Sequence, residues 1–332
     1  MSILLTGGLG YIGSHTAVEL LNRGEDVIIV DDLSNSKIIV KNKIMQITGK
    51  KFKFIKADLK NLKKTEKIFK NNNISAVVHF AGYKIVGESL NHPIKYYENN
   101  ILITLNLLKC MEKYNVYNMV FSSSASIYGD QNEMPVKETF STHANNPYSR
   151  TKLYIEEILK DFYNSNNKFN FAILRYFNPV GAHESGLIGE DPNDTPTNLM
   201  PYITKVATGE LKELSIFGND YSTKDGTGVR DFIHVCDLAI GHALALNKLK
   251  EKPGVFICNL GTGKGYTVLE TVTTFNKVNG NLVKYKFVER RSGDIAISYA
   301  DTTKAEKELK FKAKYNLEEM CKTSYKFEKN NK

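Results

Sequence analysis

The chain has 332 residues, 42% apolar and 24% charged, which is the balance of a soluble globular protein long enough for a large core and two lobes. Its net charge of +9 (45 Lys+Arg against 36 Asp+Glu) does not point to nucleic acid, because the lysines are scattered among asparagines and glutamates with no basic block and no interleaved aromatic stripe. The four cysteines (Cys110, Cys236, Cys258, Cys321) lack C-x-x-C spacing, and no charged leader or long apolar run is seen, so reduced thiols in the cytoplasm are expected, without secretion or a membrane span.

Residues 3–5 form an apolar strand that runs into Thr6-Gly7-Gly8-Leu9-Gly10-Tyr11-Ile12-Gly13-Ser14, and a helix is expected from about Ile12. Gly8, Gly10 and Gly13 fit G-x-G-x-x-G, and Gly7, Gly10 and Gly13 fit G-x-x-G-x-x-G. Strand, glycine turn and helix in that order open a dinucleotide-binding fold, where the backbone approaches a pyrophosphate and the helix points its positive end at it. A second strand at 27–30 ends in Asp31-Asp32, about 20 residues beyond the glycines, where an acid binds the ribose 2′-OH. A carboxylate there repels a 2′-phosphate, so NAD is expected rather than NADP.

Strand and helix patterns then alternate: strand 52–56, helix 59–70, strand 74–80, a long helix 94–114 introduced by Pro93, strand 119–121 ending in Ser122-Ser123-Ser124, a second long helix 148–163, and strand 171–174. This is the pattern of a Rossmann-type α/β fold, a doubly wound parallel sheet with continuous apolar strands. From Asn178 glycine, proline and asparagine become frequent and the helices shorter, at 198–208, 237–249, 268–278 and 317–327. The expected organisation is therefore an NAD-binding domain over 1–176 and a smaller substrate lobe over 177–332.

Ligands of a doubly wound sheet bind beyond the carboxyl ends of its strands. Ser122 to Ser124 occupy such an end, and Tyr148-Ser149-Arg150-Thr151-Lys152 opens the following helix. Tyr148 and Lys152, four apart, share one helical face a turn apart. A phenol of reference pKa about 10 becomes a usable base when an ammonium and a positive nicotinamide ring favour the phenolate. Tyr148 is thus the expected proton acceptor, with Lys152 as its cation and Ser124 holding the substrate hydroxyl. Arg230 and Arg291 suit a diphosphate, since each guanidinium can grip two phosphate oxygens. The seven histidines (His15, His79, His92, His143, His183, His234, His242) show no metal-ligand spacing, so no metal is expected.

With these motifs in place the chain resembles the extended short-chain dehydrogenase/reductase family, and within it the branch that epimerises UDP-hexoses at C4. The resemblance runs from Leu5-Thr6-Gly7-Gly8 to Tyr299-Ala300-Asp301 and includes His79-Phe80-Ala81-Gly82, Phe121-Ser122-Ser123-Ser124-Ala125, Arg175-Tyr176-Phe177-Asn178-Pro179-Val180-Gly181-Ala182, Asn198-Leu199-Met200-Pro201, Gly228-Val229-Arg230-Asp231 and Arg291-Ser292-Gly293-Asp294. It implies reversible interconversion of UDP-galactose and UDP-glucose through a 4-keto sugar, with hydride passing to NAD and back. It implies that Gly7, Gly10, Tyr11, Ile12, Gly13, Asp31, Asp32, Asn35, Ser36, Asp58, Leu59, Phe80, Ala81, Lys84, Asn99, Ser122, Lys152 and Phe177 hold NAD. By the same resemblance Ser124, Tyr148, Asn178, Asn198, Leu199, Ile216, Phe217, Arg230, Arg291, Asp294 and Ser298 hold the UDP-sugar, and the two long helices form a homodimer.

Two positions depart from the family pattern. Phe232 stands where many members have tyrosine, and Ser298 stands where the resemblance places a residue against the sugar C2 group. A small residue there goes with acceptance of UDP-GalNAc and UDP-GlcNAc. The sibling reading, a sugar-nucleotide 4,6-dehydratase, requires an acid beside the serine, whereas Ala125 and Ser126 follow Ser124. A UDP-glucuronate 4-epimerase and a non-catalytic NAD-sensing protein are further alternatives; a sensor has no need of Ser124, Tyr148 and Lys152.

Overall fold

A computed structural model describes residues 1–192, 196–291 and 293–331. In chain order the strands and helices of the first half are β1 (Ser2–Thr6), α1 (Tyr11–Asn22), β2 (Val27–Asp31), α2 (Ile39–Thr48), β3 (Lys53–Lys56), α3 (Leu62–Lys70), β4 (Ile74–His79), α4 (Val86–Asn91), α5 (Pro93–Lys113), β5 (Asn118–Ser122), α6 (Pro147–Ser165) and β6 (Asn170–Tyr176). They continue as β7 (Asn178–Val180), α7 (Leu199–Ala207), β8 (Leu214–Phe217), β9 (Val229–Arg230), β10 (Phe232–His234), α8 (Val235–Glu251), β11 (Val255–Leu260), β12 (Tyr266–Thr267), α9 (Val268–Asn279), β13 (Tyr285–Val288), β14 (Ile297–Ser298) and α10 (Leu317–Asn330).

The central sheet has seven strands in the order β3-β2-β1-β4-β5-β6-β11, and the pairs from β3 to β6 are parallel, so the fold is the expected Rossmann-type doubly wound α/β sheet. Its central strands are buried nearly along their length, as β2 shows with all five residues buried, while the edge strand β3 is partly exposed. The apolar side chains pack into one cluster that includes Leu4, Val77, Leu107, Met119, Phe169 and Phe171. The strand order reverses between β1 and β4, and this opens a crevice beyond their carboxyl ends.

The chain divides into two compact units: Met1–Gly129 with Ser141–Tyr176 and Ala239–Cys258, and Asp130–Phe140 with Phe177–Leu238 and Asn259–Lys332. One segment of the first unit ends at Tyr176, and both units are discontinuous in sequence. Residues 239–258 return to the first unit because strand β11 extends the sheet beyond β6: the Phe171 amide donates to the Gly254 carbonyl at 2.9 Å and the Gly254 amide to Asn170 Oδ1 at 2.8 Å. Residues 130–140 leave it because Val136 bridges Ala300, its amide donating to the Tyr299 carbonyl at 2.9 Å.

The second unit has its own core around Ile203, Ile216, Phe232, Phe275 and Met320. Three small sheets surround it: β7 with β10, β12-β9-β14, and β8 with β13. None of these short strands carries enough alternation to be read from sequence. Boundaries elsewhere shift by a few residues for local reasons. Helix α3 starts at Leu62 rather than at residue 59 because Asn61 caps it, its Oδ1 accepting from the Lys64 amide at 3.1 Å.

Candidate active site

The dinucleotide cradle is built in the first unit from the ends of β1, β2 and β4. Gly7 follows β1 with φ of 67°, and a Cβ on it would lie 2.9 Å from the Ala81 amide nitrogen. A Cβ on Gly13 would lie 2.4 Å from the Gly7 carbonyl oxygen, so α1 packs against the turn more closely than any side chain permits. Gly10 precedes α1 in extended conformation, and no side chain caps the helix. The first-turn amides therefore have no competing carboxylate or hydroxyl, which suits a bound pyrophosphate.

Asp31 ends β2 almost fully buried. Its Oδ2 accepts from the Leu9 amide at 3.0 Å, and its Oδ1 from the Leu33 amide at 3.0 Å and Ser36 Oγ at 2.7 Å. Burial raises its pKa above the usual carboxylate value, and these hydrogen bonds oppose the rise. Three donors on a group with about four lone-pair sites leave acceptor capacity for a ribose hydroxyl. Asp32 is turned to its own loop, accepting from the amide and hydroxyl of Ser34, with Asn35 exposed beyond it. Asp58 accepts from the Lys60 amide at 2.9 Å. The glycine cradle, the uncapped helix and the residual acceptor on Asp31 together fit NAD.

Phe80 and Ala81 follow β4, with the Phe80 amide donating to the Thr6 carbonyl at 3.1 Å. Lys84 is exposed, and Asn99 is buried with its Nδ2 donating to Asn100 Oδ1 at 3.1 Å. Asn100 in turn accepts from the Tyr83 amide at 2.8 Å and donates to Thr151 Oγ1 at 3.0 Å, which ties α5 and the loop after β4 to α6.

The residues expected to transfer the proton lie at the end of β5 and in the first turns of α6. Asn146 caps α6, Oδ1 accepting from the Ser149 amide at 2.9 Å, and Pro147 occupies the first turn, where no amide is needed. Tyr148 and Lys152 are both buried on this helix, and Ser124 caps the short 3₁₀ turn Ala125–Tyr128. The Ser124 hydroxyl is hydrogen-bonded to Tyr148 and lowers its pKa. Burial first, and then the neighbouring Tyr176 and Tyr96 phenols, raise it far above that of a free phenol.

The sequence reading had Lys152 lowering this phenol directly. In the structure the ammonium instead donates to the Ser122 carbonyl at 2.7 Å and lies 4.9 Å from the Phe121 ring centre. It is held there with its own pKa pushed down to about 8 by burial, while Glu156 pulls it back up.

The remaining predicted residues lie in the second unit. Arg230 on β9 donates to the Val229 carbonyl at 2.9 Å and lies 3.6 Å from the Asp294 carboxylate. The Arg291 guanidinium sits over the Phe217 ring at 3.8 Å. Ser298 on β14 is in register with Arg230 on β9. Asn178 is exposed at the start of β7, and Asn198 precedes α7 with Nδ2 donating to Glu190 Oε1 at 2.8 Å. Ser292 lies outside the described residues.

Two of the expected contacts would fall to backbone rather than side chain. The side chains of Leu59 and Ile216 are 3% and 1% exposed and belong to the two cores, so neither side chain presents itself to a ligand. Phe177 is buried, its amide donating to the Leu260 carbonyl at 3.0 Å. Phe232 packs in the second core, where a tyrosine hydroxyl would need a partner.

The sequence reading passed over Glu156, Arg175, Tyr176 and His242, all at the end of β5. His242 Nε2 lies 3.3 Å from Ser122 Oγ, and its ring is 4.9 Å from that of Phe80. The available signal was a glutamate two helical turns beyond Tyr148 on the same face.

A model of the family described as GDP-mannose 4,6 dehydratase matches residues 4–324. UDP-glucose 4-epimerase of Bacillus subtilis is 54% identical over 331 residues, covering all of this chain and 98% of that protein. The structure of UDP-glucose 4-epimerase from Stenotrophomonas maltophila with bound NAD and formylated UDP-arabinopyranose superimposes with a TM-score of 0.98 at 47% identity, covering 100% of this chain and 98% of that one. That of the Bifidobacterium longum enzyme in complex with NAD+ and UDP gives 0.96 at 49% identity, covering 100% and 99%.

Gly13→Ala places a methyl group against the Gly7 carbonyl, and overpacking of this kind costs about 1–3 kcal/mol. The expected outcome is a lower thermal midpoint and loss of most of the NAD released on denaturing the purified protein; full NAD content would contradict the cradle.

Proposed function

The chain belongs to the UDP-glucose 4-epimerase family of extended short-chain dehydrogenase/reductases, and on that premise we propose that Tyr148, Lys152 and Ser124 carry the proton transfer of its reaction. That reaction is reversible 4-epimerisation of UDP-galactose and UDP-glucose, with NAD as the cofactor. The observation that carries the assignment is the placement of the Tyr148 phenol on the Ser124 hydroxyl at the carboxyl end of β5, one helical turn before the buried Lys152.

Tyr148 takes the proton of the sugar 4-OH as the C4–H bond breaks, leaving a 4-keto sugar. Ser124 holds the oxygen that loses the proton. Bound NAD supplies a reversible hydride acceptor and a positive ring that favours the phenolate. Lys152, fixed by the Ser122 carbonyl, places its ammonium at the strand end that carries Ser124. Once the keto sugar has turned over, C4 would regain the hydride on its other face from the reduced nicotinamide while Tyr148 returns the proton to O4, so no net oxidation occurs. Water is retained throughout, because Ser124 is followed by Ala125 and Ser126 and its Oγ donates to the Ser126 hydroxyl at 2.9 Å, leaving no acid to drive dehydration.

We assign the adenosine side of NAD to Gly7, Gly10, Gly13, Asp31 and Asp58, and the diphosphate of the UDP-sugar to Arg230 and Arg291. The pairing of Arg230 with Asp294 supports this, since it keeps a partly exposed guanidinium oriented. Ser298 is a small residue in register with Arg230, which supports our proposal that UDP-GalNAc and UDP-GlcNAc are accepted as well.

Helices α5 and α6 present exposed Ile94, Leu102 and Tyr154, which supports a homodimer through them. All four cysteines are free thiols, and no helix among the described residues is long and apolar enough to cross a membrane. The thiols support a cytoplasmic location.

Purified protein, without added NAD, should interconvert UDP-galactose with UDP-glucose and UDP-GalNAc with UDP-GlcNAc. Failure on the first pair even with NAD supplied would refute the function. Ser298→Tyr should lower kcat/KM for the N-acetyl pair by at least about a hundredfold while sparing the other pair; equal loss on both would refute the steric reading. Sedimentation at micromolar concentration should give a dimer that Leu102→Glu turns into a monomer, and a wild-type monomer would exclude the interface.

A further inference from the structure

Three residues spaced one helical turn apart on α6 each grip one of three successive residues at the end of β5. Tyr148 is hydrogen-bonded to the Ser124 hydroxyl, Lys152 donates to the Ser122 carbonyl at 2.7 Å, and Glu156 accepts from Ser123 Oγ at 2.5 Å. The first two belong to the proton-transfer machinery. Glu156 touches no reacting group, yet it is fully buried and is the most heavily bonded of the three.

Its carboxylate is clasped from β6 by Arg175, whose Nη2 donates to Oε2 at 2.6 Å and whose Nε lies 3.2 Å from both oxygens. Arg175 is itself buried, donates from Nη1 to Tyr128 Oη at 3.0 Å, and lies 5.0 Å from the Tyr128 ring centre. Tyr128 ends the short 3₁₀ turn that Ser124 caps, so the pair holds that turn from both sides. The next residue on β6, Tyr176, is hydrogen-bonded to Ser122.

An ion pair in this position is not explained by stability. Burying two charges costs several kcal/mol each, and a well-packed apolar pair of the same volume is commonly as stable or more so. What an apolar pair lacks is direction. A carboxylate fixed by a bidentate guanidinium presents an oxygen to Ser123 at a set angle, and Ser123 lies between the two residues that hold Lys152 and Tyr148.

We propose that the buried Glu156–Arg175 pair is the positioning device of the epimerase site: through Ser123 it fixes the strand end on which Ser124 and Lys152 act. The titratable and charged groups around Lys152 are His79 from β4, Glu156 from its own helix with the Arg175 guanidinium of β6 behind it, Tyr148 one turn earlier on the same helix and, through Ser122, Tyr176 from β6 and His242 from α8. Glu156 is the carboxylate among them. His79, held near 3 by burial, stays neutral over the working range, and burial likewise keeps the Tyr176 phenol protonated. A negative charge one turn away opposes the burial that pushes Lys152 down to about 8.

The inference rests on the epimerase reading, and the experiment separates the two. Wild-type enzyme inactive on UDP-galactose refutes that reading; wild-type activity with unaffected variants refutes this one. Ser123→Ala leaves the ion pair in place and is expected to fold with its NAD content and KM unchanged, while kcat falls about ten- to a hundredfold, the loss that accompanies small misplacement.

Glu156→Gln removes the anion and should move the alkaline limb of the kcat–pH profile, where Lys152 loses its proton, down by about one pH unit or more. Should that variant fail to fold, Glu156→Gln with Arg175→Met removes both charges and should move the limb in the same direction by a smaller amount, because the Arg175 cation that offsets the Glu156 charge is lost with it. A Ser123→Ala enzyme with wild-type kcat, or a charge-free pair with an unmoved alkaline limb, would overturn the proposal; if neither charge variant folds, Ser123→Ala decides it alone.

Discussion

The first unit depends on the pairing of β1 with β4, where the strand order reverses. Thr6 stands opposite His79 in this pair, and the two side chains meet at 2.7 Å between Oγ1 and Nδ1. The other imidazole nitrogen reaches Thr104 Oγ1 on α5 at 3.0 Å, so one buried ring links both strands to the long helix. Burial holds its pKa near 3, which keeps it neutral, able to donate from one nitrogen and accept at the other. The register set there brings Gly7 against Ala81, and the cradle follows from that approach: any wider separation would leave room for side chains and remove the backbone amides from a pyrophosphate.

Buried polarity is concentrated in the same region. Thr6, His79, Ser122, Ser123, Ser124, Tyr148, Lys152, Glu156 and Arg175 are all less than a tenth exposed. Groups removed from water in this way destabilise a fold unless each finds a partner. The partners are supplied by neighbouring element ends: β5 offers carbonyls and hydroxyls, α6 offers charges, and β6 offers the guanidinium. The result is a buried polar cluster whose rotamers are set by hydrogen bonds rather than by packing alone.

The second unit solves a different problem. Its arginines are held individually: Arg230, mostly buried, by the Val229 carbonyl at 2.9 Å and Asp294 at 3.6 Å, and Arg291 over the Phe217 ring. Beneath them Asp231 is rigid. Its carboxylate accepts from the Thr262, Gly263 and Ala300 amides at 2.8 to 3.1 Å and from the Thr262 hydroxyl at 2.7 Å, which fastens the turn after β11 and the residues after β14 to β9.

Much of this was legible in the sequence. The glycine spacing, the acid at the end of the second strand and the Tyr148–Lys152 pair are local features, set by neighbours within one turn or one strand, and periodicity exposes them directly. The alternation of apolar strands and amphipathic helices determined the doubly wound fold for the same reason. What tertiary structure alone decided were the contacts between residues far apart in the chain. The return of residues 239–258 to the first unit, the loss of Leu59 and Ile216 to the cores and the diversion of Lys152 to the Ser122 carbonyl belong to this class, as does the clasp of Glu156 by Arg175 across 19 positions. A buried charge looks like a surface charge in sequence, because its burial and its partner are fixed only when the sheet brings separate segments side by side.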